Sequence, residues 1–480
     1  MKYSVITKIT AFILVMQVLS SCQKEKLNPI SQTSLQEDIV FDTPERIEKQ
    51  LNGLYSAVKS GNFYGGRYLI FNDIRGENFI NEKSNGVTGL LVWNFTVTDG
   101  DTYLNRTWQY GYLAINKINL FLEGLDQYGN DIAGAELTKQ YRAQAKFLRA
   151  LSYYGLLQLY APPYRDGDGS KKALPLRLIG IKGSGFNDQA RSTVAEVYNQ
   201  VIKDLDEAEA DLPDDHGDSE ANTVYAHKNS AIALKTKVYL SKGDYPKVIN
   251  EANKIVSASA PFKTASGVDN HLESDIKNVF SLYTTPESIF SFPFTGLNEN
   301  PGGQNQLGYY YNPDAGNGEY SLNSDGIVAD ADWKPADSRR SFIKIKGGKP
   351  WLDKYPGASP YIDWVPVLRY SEVLLNLAEA ITRSTNTVDS RAVALLSAVR
   401  HRSDAGTTYS TADFADAGEL AAAILKEREI EFLGEGIRSA DILRLGLSFP
   451  AKGSVKEITP SSAGYIWPAP VGETQYNTSW

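Results

Sequence analysis

Apolar residues recur at intervals of three or four along several long segments of the chain, which is the period of an amphipathic helix. One such segment runs from Tyr141 to Tyr160 and stops at Pro162-Pro163. Another follows Thr193-x-x-Glu196, a capping box, and its apolar stripe continues to Leu212. No segment of comparable length alternates as a half-buried strand does. The pattern therefore predicts an all-α, mainly helical protein.

Two stretches have the pattern of a helical hairpin, in which consecutive helices pack through a short turn. Between Ile232 and Ile255 the spacing is that of a tetratricopeptide-type hairpin, with Lys242-Gly243-Asp244 as the turn. The second pair covers Val367 to Arg383 and Asp389 to Arg402, and a last helix covers about 418–433. Stacked pairs form a solenoid whose faces carry long insertions. We expect a tetratricopeptide-like scaffold.

The helical pattern is interrupted from Leu297 to about Trp333, where Gly, Asn, Asp and Tyr dominate. This stretch contains Pro301-Gly302-Gly303 and the run from Tyr309 to Pro313. Such a composition is unfavourable for a helix and is typical of a loop. We predict a long loop insertion over about 297–365, without helices and laid over the scaffold.

The N-terminus has the features of an export signal that ends at a lipid-attachment cysteine. Lys2 and Lys8 are positive, Ile9 to Leu19 is mostly apolar, and small residues precede Cys22. The apolar core is shorter than the roughly 20 residues that a membrane-spanning helix needs. We predict residues 1–21 as a lipoprotein signal peptide and Cys22 as the lipidated first residue of the mature chain.

Composition narrows the classes of function further. Cys22 is the single cysteine, so the chain offers neither an intramolecular disulfide nor a thiol nucleophile. The net charge of −8 argues against nucleic acid and anionic membrane as partners. The 28 tyrosines and 7 tryptophans are a large supply of side chains that combine an apolar face with a polar edge.

Four segments, in their order along the chain, resemble motifs of the SusD/RagB family of outer-membrane nutrient-binding lipoproteins. Arg142 to Ala150 is similar to the family's R-x-E-A-x-F-L-R-A helix, and Leu368 to Ala380 is very close to its R-Y-A-E-V-L-L-x-x-A-E-A helix. Glu427 to Arg438 resembles E-R-x-x-E-F-x-G-E-G-x-R, and Ile466 to Pro470 resembles the C-terminal W-P-I-P. Ser439-Ala440 departs from the aromatic pair that is common there. Together with the predicted lipid-attachment cysteine, the likeness covers the chain from end to end.

The resemblance implies a body of about four tetratricopeptide-like units over residues 22–480, with an N-terminal part at about 23–220 and a C-terminal part at about 221–480. It also implies a partner, a SusC-like TonB-dependent outer-membrane barrel. The implied role is the capture of an oligosaccharide, or in some relatives a peptide, at the mouth of that barrel. By the same resemblance, the chain is anchored to outer-membrane lipid through Cys22, faces the cell exterior, and needs no cofactor.

A sugar ring presents a C–H face and a rim of hydroxyls, so flat aromatic rings and planar hydrogen-bonding groups bind it well. Exposed aromatic residues on loops are the natural candidates, and Asp73 and Arg75 of a predicted polar loop are candidate partners of the hydroxyls. Packing in the core is the alternative for each aromatic residue, and it is the expected role of Trp108, Trp364 and Trp467. The candidate aromatic contacts are Trp93, Tyr309, Tyr310, Tyr311, Tyr320, Trp333 and Trp351.

Catalytic and metal sites are not predicted. Acidic residues near the C-terminus suggest a glycosidase, which needs two carboxylates across a cleft. They alternate with Lys426, Arg428 and Arg438, so we expect a solvated, ion-paired helix instead. The four histidines lack metal spacing, and Asp166-x-Asp168 lacks the later ligands of a calcium loop. A glycan-binding subunit is the leading hypothesis, followed by a peptide-binding subunit and an all-α glycoside hydrolase. The acidic residues in question are Glu427, Glu429, Glu431 and Glu435.

Overall fold

The computed structural model describes residues 40–183, 185–295 and 299–480, and the predicted signal peptide and Cys22 lie outside this range. Within it, the protein consists of helices joined by loops and short strands. None of the described helices is both long enough and apolar enough to span a membrane. The helices are α1 (Pro44–Val58), α2 (Arg67–Arg75), α3 (Leu90–Trp93), α4 (Thr102–Gly124), α5 (Asn130–Ala133), α6 (Ala135–Tyr160), α7 (Val194–Asp211), α8 (Ser219–Val224), α9 (Lys228–Lys242), α10 (Tyr245–Ala252), α11 (Ile276–Ser281), α12 (Leu307–Tyr311), α13 (Tyr370–Thr385), α14 (Ser390–Ser403), α15 (Ala417–Glu431), α16 (Arg438–Leu445) and α17 (Val471–Tyr476).

Eight short strands pair as antiparallel two-stranded sheets in the described part of the chain: β1 with β5, β2 with β3, β4 with β8, and β6 with β7. These sheets connect loops to the helical body and do not form a layer of their own. The strands are β1 (Phe79–Asn81), β2 (Lys172–Pro175), β3 (Arg191–Thr193), β4 (Ser288–Phe292), β5 (Tyr320–Leu322), β6 (Ile343–Lys346), β7 (Lys349–Leu352) and β8 (Val365–Arg369).

The helices predicted from apolar periodicity are present, and their caps explain where they begin and end. Thr193 caps α7: its hydroxyl accepts the Glu196 N–H at 3.2 Å, and the Glu196 carboxylate accepts the Thr193 N–H at 2.6 Å. Gly243 ends α9 in the left-handed conformation, with φ of 74°. The predicted all-α architecture is therefore confirmed.

Helices that follow one another along the chain pack side by side as hairpins. Such pairs are α4 with α6, α6 with α7, α9 with α10, and α13 with α14. Contacts of α7 with α9 and of α10 with α13 join the pairs into one stack. The main hydrophobic cluster includes residues from Phe41 to Trp467, so the predicted N-terminal and C-terminal parts share one core.

The prediction that the insertion contains no helix is wrong. Leu307–Tyr311 forms α12, and β5 pairs with β1 so that Ser321 lies opposite Ile80. Burial of Leu307, Tyr310 and Tyr311 stabilises a single helical turn whose sequence has low helix propensity. The insertion therefore packs against the N-terminal part of the body as a folded element.

Candidate functional site

Asp73 and Arg75 lie in α2 and not in a polar loop, so the predicted loop is wrong. The Asp73 carboxylate is buried and accepts the Gly436 N–H at 2.8 Å. Burial raises the pKa of Asp73 well above its usual value, although that hydrogen bond opposes the change. The Arg75 guanidinium is also buried, lies 4.7 Å from the Phe449 ring, and has a pKa lowered to about 9 by burial. Both side chains hold α2 against the C-terminal region.

Trp93 is a core residue. Its ring is 7% exposed, and the indole N–H donates to the Phe79 carbonyl at 2.7 Å. The Lys452 ammonium lies 5.6 Å from the ring centre. The indole N–H has its partner inside the protein, so the expected exposure of this ring is wrong.

Three tyrosines of the insertion, Tyr310, Tyr311 and Tyr320, are also buried. Tyr310 and Tyr320 stack at 6.1 Å between ring centres, and both are 0% exposed. The Tyr310 hydroxyl donates to the Gln304 carbonyl at 2.9 Å, and the Tyr320 hydroxyl donates to the Thr88 carbonyl at the same distance. Tyr311 is likewise buried, 5.0 Å from the Phe79 ring. These three rings attach the insertion to the body, and the expectation that they are exposed is wrong.

Trp333 and Trp351 are also inside the molecule. Trp333 is 2% exposed, and the Arg340 guanidinium covers its ring at 4.6 Å. Trp351 lies in β7 and donates from its indole N–H to the Lys346 carbonyl at 3.1 Å. Of the nominated aromatic residues, Tyr309 alone keeps part of its ring in solvent.

Tyr309 is joined at the surface by Tyr361, a residue that the sequence did not single out. The two rings are half-buried and lie edge to face, with centres 5.7 Å apart. Tyr361 has a φ of 58°, a left-handed conformation that non-glycine residues rarely adopt and that is enriched at ligand sites. The turn that contains Tyr361 has neither helical nor strand periodicity, so the sequence does not predict that Tyr361 packs against Tyr309.

Two side-chain amides lie close to Tyr309. Asn317 is exposed, and its backbone N–H donates to the Tyr309 carbonyl at 2.9 Å. The Asn317 and Asn85 side-chain amides both donate to the buried Glu319 carboxylate, which places them close together. We call the surface formed by Tyr309, Tyr361, Asn85 and Asn317 the Tyr309 face. It combines apolar rings with planar donors and acceptors, the chemistry that sugar hydroxyls and C–H faces require.

The C-terminal glutamates are ion-paired as predicted, but the expectation that their helix is solvated is wrong. Glu431 is 0% exposed and contacts Arg339, Arg369 and Arg402 at 2.8, 2.9 and 2.5 Å. Burial alone would raise the pKa of Glu431, but the three guanidinium groups outweigh burial and hold it well below its usual value. Glu427 pairs with Arg339 and Arg400, and Glu435 with Lys354 and Arg369. The carboxylates of Glu427, Glu431 and Glu435 are thus neutralised by buried cations of the core, an arrangement that stabilises the fold.

Comparison with known proteins relates most of the chain to one group. A SusD-like family model described as starch-binding and associating with the outer membrane matches residues 25–240, and the model of the SusD family matches residues 353–477. A crystal structure of a SusD superfamily protein from Bacteroides fragilis is 33% identical, with a TM-score of 0.80, and the match covers 92% of this chain and 99% of that one.

Two more distant relatives also match most of the chain. SusD-like protein P2 from Formosa agariphila is 26% identical over 487 residues, a match that covers 92% of this chain and 90% of the relative. The structure of a laminarin-binding SusD-like protein is 19% identical, with a TM-score of 0.70, and the match covers 91% of this chain and 98% of that one. The fold and the sequence motifs thus point to the same group of proteins.

Proposed function

The chain belongs to the SusD/RagB family, and from this premise we propose that it is the glycan-binding lipoprotein subunit of an outer-membrane nutrient importer. Proteins of this family are carbohydrate-binding surface lipoproteins. In the proposal, the chain is anchored through Cys22, associates with a SusC-like TonB-dependent barrel, and holds an oligosaccharide at its mouth without catalysing a reaction.

The Tyr309 face is the observation that supports glycan binding by this particular chain. Tyr309 and Tyr361 present ring surfaces at a right angle, which suits two neighbouring sugars of a bent or twisted chain. The amides of Asn85 and Asn317 lie at the rim, where sugar hydroxyls donate and accept hydrogen bonds. Stacking contributes on the order of 1 kcal/mol per aromatic contact, so the intrinsic affinity is modest. Tethering to the barrel compensates, because it raises the effective concentration of the held ligand.

The charge of the face favours a neutral ligand. The amides of Asn85 and Asn317 both donate to the carboxylate of Glu319, which is buried beneath them. An acidic ligand would meet this carboxylate without a compensating cation from the four residues of the face. Because a structural neighbour binds laminarin, neutral glucan oligosaccharides are the first probes to use.

The proposal is tested by calorimetric titration of the chain from Gln23 to Trp480 with oligosaccharides of laminarin, cellulose, starch, xylan and mannan, and with short peptides. We expect saturable heat with at least one oligosaccharide and no release of reducing ends over hours. Binding of peptides alone would identify a peptide-binding subunit instead. New reducing ends would identify a glycoside hydrolase and contradict the proposal.

A further inference from the structure

A second concave surface lies along α4. It has a volume of about 430 Å³ and is bounded by α4, by the segment after β2 around Arg177, and by the start of α17 around Glu473. We call it the α4 groove. Its lining includes Asn105, Trp108, Gln109, Tyr112, Arg177 and Glu473.

The groove and the insertion contact different sides of α4. On the insertion side, the Arg67 guanidinium lies 4.2 Å from the Tyr103 ring and donates to the Asn305 side chain. Residues two positions apart in an α-helix differ by about 200° around the helix axis, so their side chains leave the helix on nearly opposite sides. Asn105 and Tyr103 therefore face opposite sides, and the α4 groove is separate from the Tyr309 face.

One polar atom of the groove is buried without a hydrogen-bond partner in the described part of the chain. The Asn105 side-chain oxygen is buried and has no hydrogen-bond partner among the described residues. A buried acceptor left unpaired costs about 1–3 kcal/mol, so a donor supplied by a ligand is favoured at this point. One helical turn away, the Gln109 side chain is exposed. The side-chain amides of Asn105 and Gln109 each offer both donors and an acceptor, which suits the hydroxyls of a sugar.

Aromatic rings supply the apolar part of the groove. Trp108 and Tyr112 lie 4.8 Å apart between ring centres, and Trp480 lies 6.2 Å from Trp108. The Tyr112 hydroxyl donates to the Pro175 carbonyl at 2.8 Å, which fixes its ring against the opposite wall. The ring surfaces are thus held in place before a ligand arrives.

The charges of the groove are balanced. The Arg177 guanidinium lies 3.8 Å from the Glu473 carboxylate, and both side chains are about one-fifth exposed, at 19% and 20%. A balanced pair attracts neither anions nor cations strongly, yet both partners hydrogen-bond to hydroxyls. These properties select a neutral, hydroxyl-rich and partly flat molecule.

We infer that the α4 groove is a second carbohydrate site, which takes one or two neutral sugar rings. Asn105 and Gln109 bind hydroxyls on one side of the sugar, and Arg177 with Glu473 binds hydroxyls on the other. The edges of Trp108 and Tyr112 contact its C–H face. The site does not depend on the Tyr309 face, and either can bind without the other.

The test uses neutral disaccharides (laminaribiose, cellobiose, maltose, xylobiose and mannobiose) at concentrations up to about 10 mM, the range in which weak single-site binding saturates. Binding is followed by calorimetry and by tryptophan fluorescence, since Trp108 lines the groove and the Trp480 ring lies 6.2 Å from the Trp108 ring. The variants are the double variant Asn105→Ala/Gln109→Ala and, as the matched control, Tyr309→Ala. Alanine favours the helix at both groove positions, so the fold is retained. Gln109→Ala alone is the second groove variant if the double variant melts early.

We expect at least one disaccharide to bind the wild type and Tyr309→Ala equally and to lose at least about tenfold in affinity with the double variant, as loss of two hydrogen bonds to a ligand implies. Gln109→Ala alone should lose part of that affinity. The inference is overturned if no disaccharide binds, if a tripeptide binds in their place, or if the loss follows Tyr309→Ala. Such a result leaves oligosaccharide binding at the Tyr309 face intact, so the two proposals fail separately.

Discussion

At the scale of single residues, contacts with distant parts of the chain distinguish the buried aromatic rings from those at the surface. Most buried tryptophans and tyrosines have a partner for the N–H or O–H, although the Tyr311 hydroxyl and the Trp333 indole N–H have none among the described residues. Trp93 finds the Phe79 carbonyl and Tyr320 finds the Thr88 carbonyl, the latter from a distant part of the chain. The sequence shows the rings but not these carbonyls, so it could not separate buried tyrosines of the insertion from Tyr309.

Trp93→Ala and Tyr309→Ala should have opposite effects. Removing the buried Trp93 ring should lower the free energy of unfolding by about 3–5 kcal/mol, as large-to-small substitutions in a core do. Tyr309→Ala should leave the free energy of unfolding nearly unchanged and weaken oligosaccharide binding about fivefold, the equivalent of one stacking contact. Denaturant unfolding and calorimetry measure the two effects, and Tyr309→Phe, which keeps the ring, is the matched control. A stable Trp93→Ala that has lost binding would reverse the assignment.

His227 makes the free energy of unfolding depend on pH, and a variant can isolate this contribution. Its ring is 0% exposed, and burial lowers the pKa from 6.5 to about 4, against a weaker opposing contribution from the Ile289 carbonyl. Between these two pH values the unfolded chain binds a proton at this position and the folded chain does not. The free energy of unfolding therefore falls as the pH drops from 6.5 to about 4, by about 3 kcal/mol in total from this group.

Urea unfolding of the wild type and of His227→Asn across this pH range measures the contribution. Asparagine is a good N-cap and suits the position before α9. We expect the variant to have a shallower dependence of the free energy of unfolding on pH between 6.5 and 4. Parallel curves for the two proteins would show that His227 does not contribute.

At the scale of elements, the sequence predicts the long helices but not the short helices and strands. The predicted hairpin helices at Val367 to Arg383 and Asp389 to Arg402 correspond to α13 and α14 within a few residues, because long helices repeat their apolar pattern. The insertion forms elements of three to five residues such as α12 and β5, which are too short to show a period. Contacts with the body stabilise them, and these are not visible in the local sequence.

The ion pairs made by Glu431 of α15 are expected to stabilise the core. Glu431→Gln keeps the size of the side chain but removes the charge that Arg339, Arg369 and Arg402 share. Breaking a buried pair leaves uncompensated charge and costs about 3–5 kcal/mol. Denaturant unfolding measures the change, and the exposed Glu457→Gln is the control, with an expected effect within about 0.5 kcal/mol. Equal stability of the two variants would contradict the assigned role of Glu431.

At the scale of the whole molecule, one stack of helical hairpins carries a folded insertion that presents Tyr309 at the surface. The sequence motifs identified this architecture because they lie in α6, α13 and α15, which form the body. They carried no information about the Tyr309 face, since that face arises where the insertion meets the N-terminal part.

Attachment to the membrane is predicted to depend on Cys22. Cys22→Ser should abolish incorporation of radiolabelled palmitate and move the protein from the membrane fraction to the soluble fraction, because acyl chains supply the anchoring energy. Ser21→Ala keeps a small residue before the cysteine and is the matched control. Retention of Cys22→Ser in membranes would show that another part of the chain provides the anchor.

A crystal structure of the chain with the oligosaccharide selected by calorimetry tests the central claim most directly. The account predicts that a sugar ring lies against Tyr309 and Tyr361, with hydroxyls within hydrogen-bond distance of Asn85 or Asn317. Sugar bound elsewhere, with the Tyr309 face empty, would contradict it.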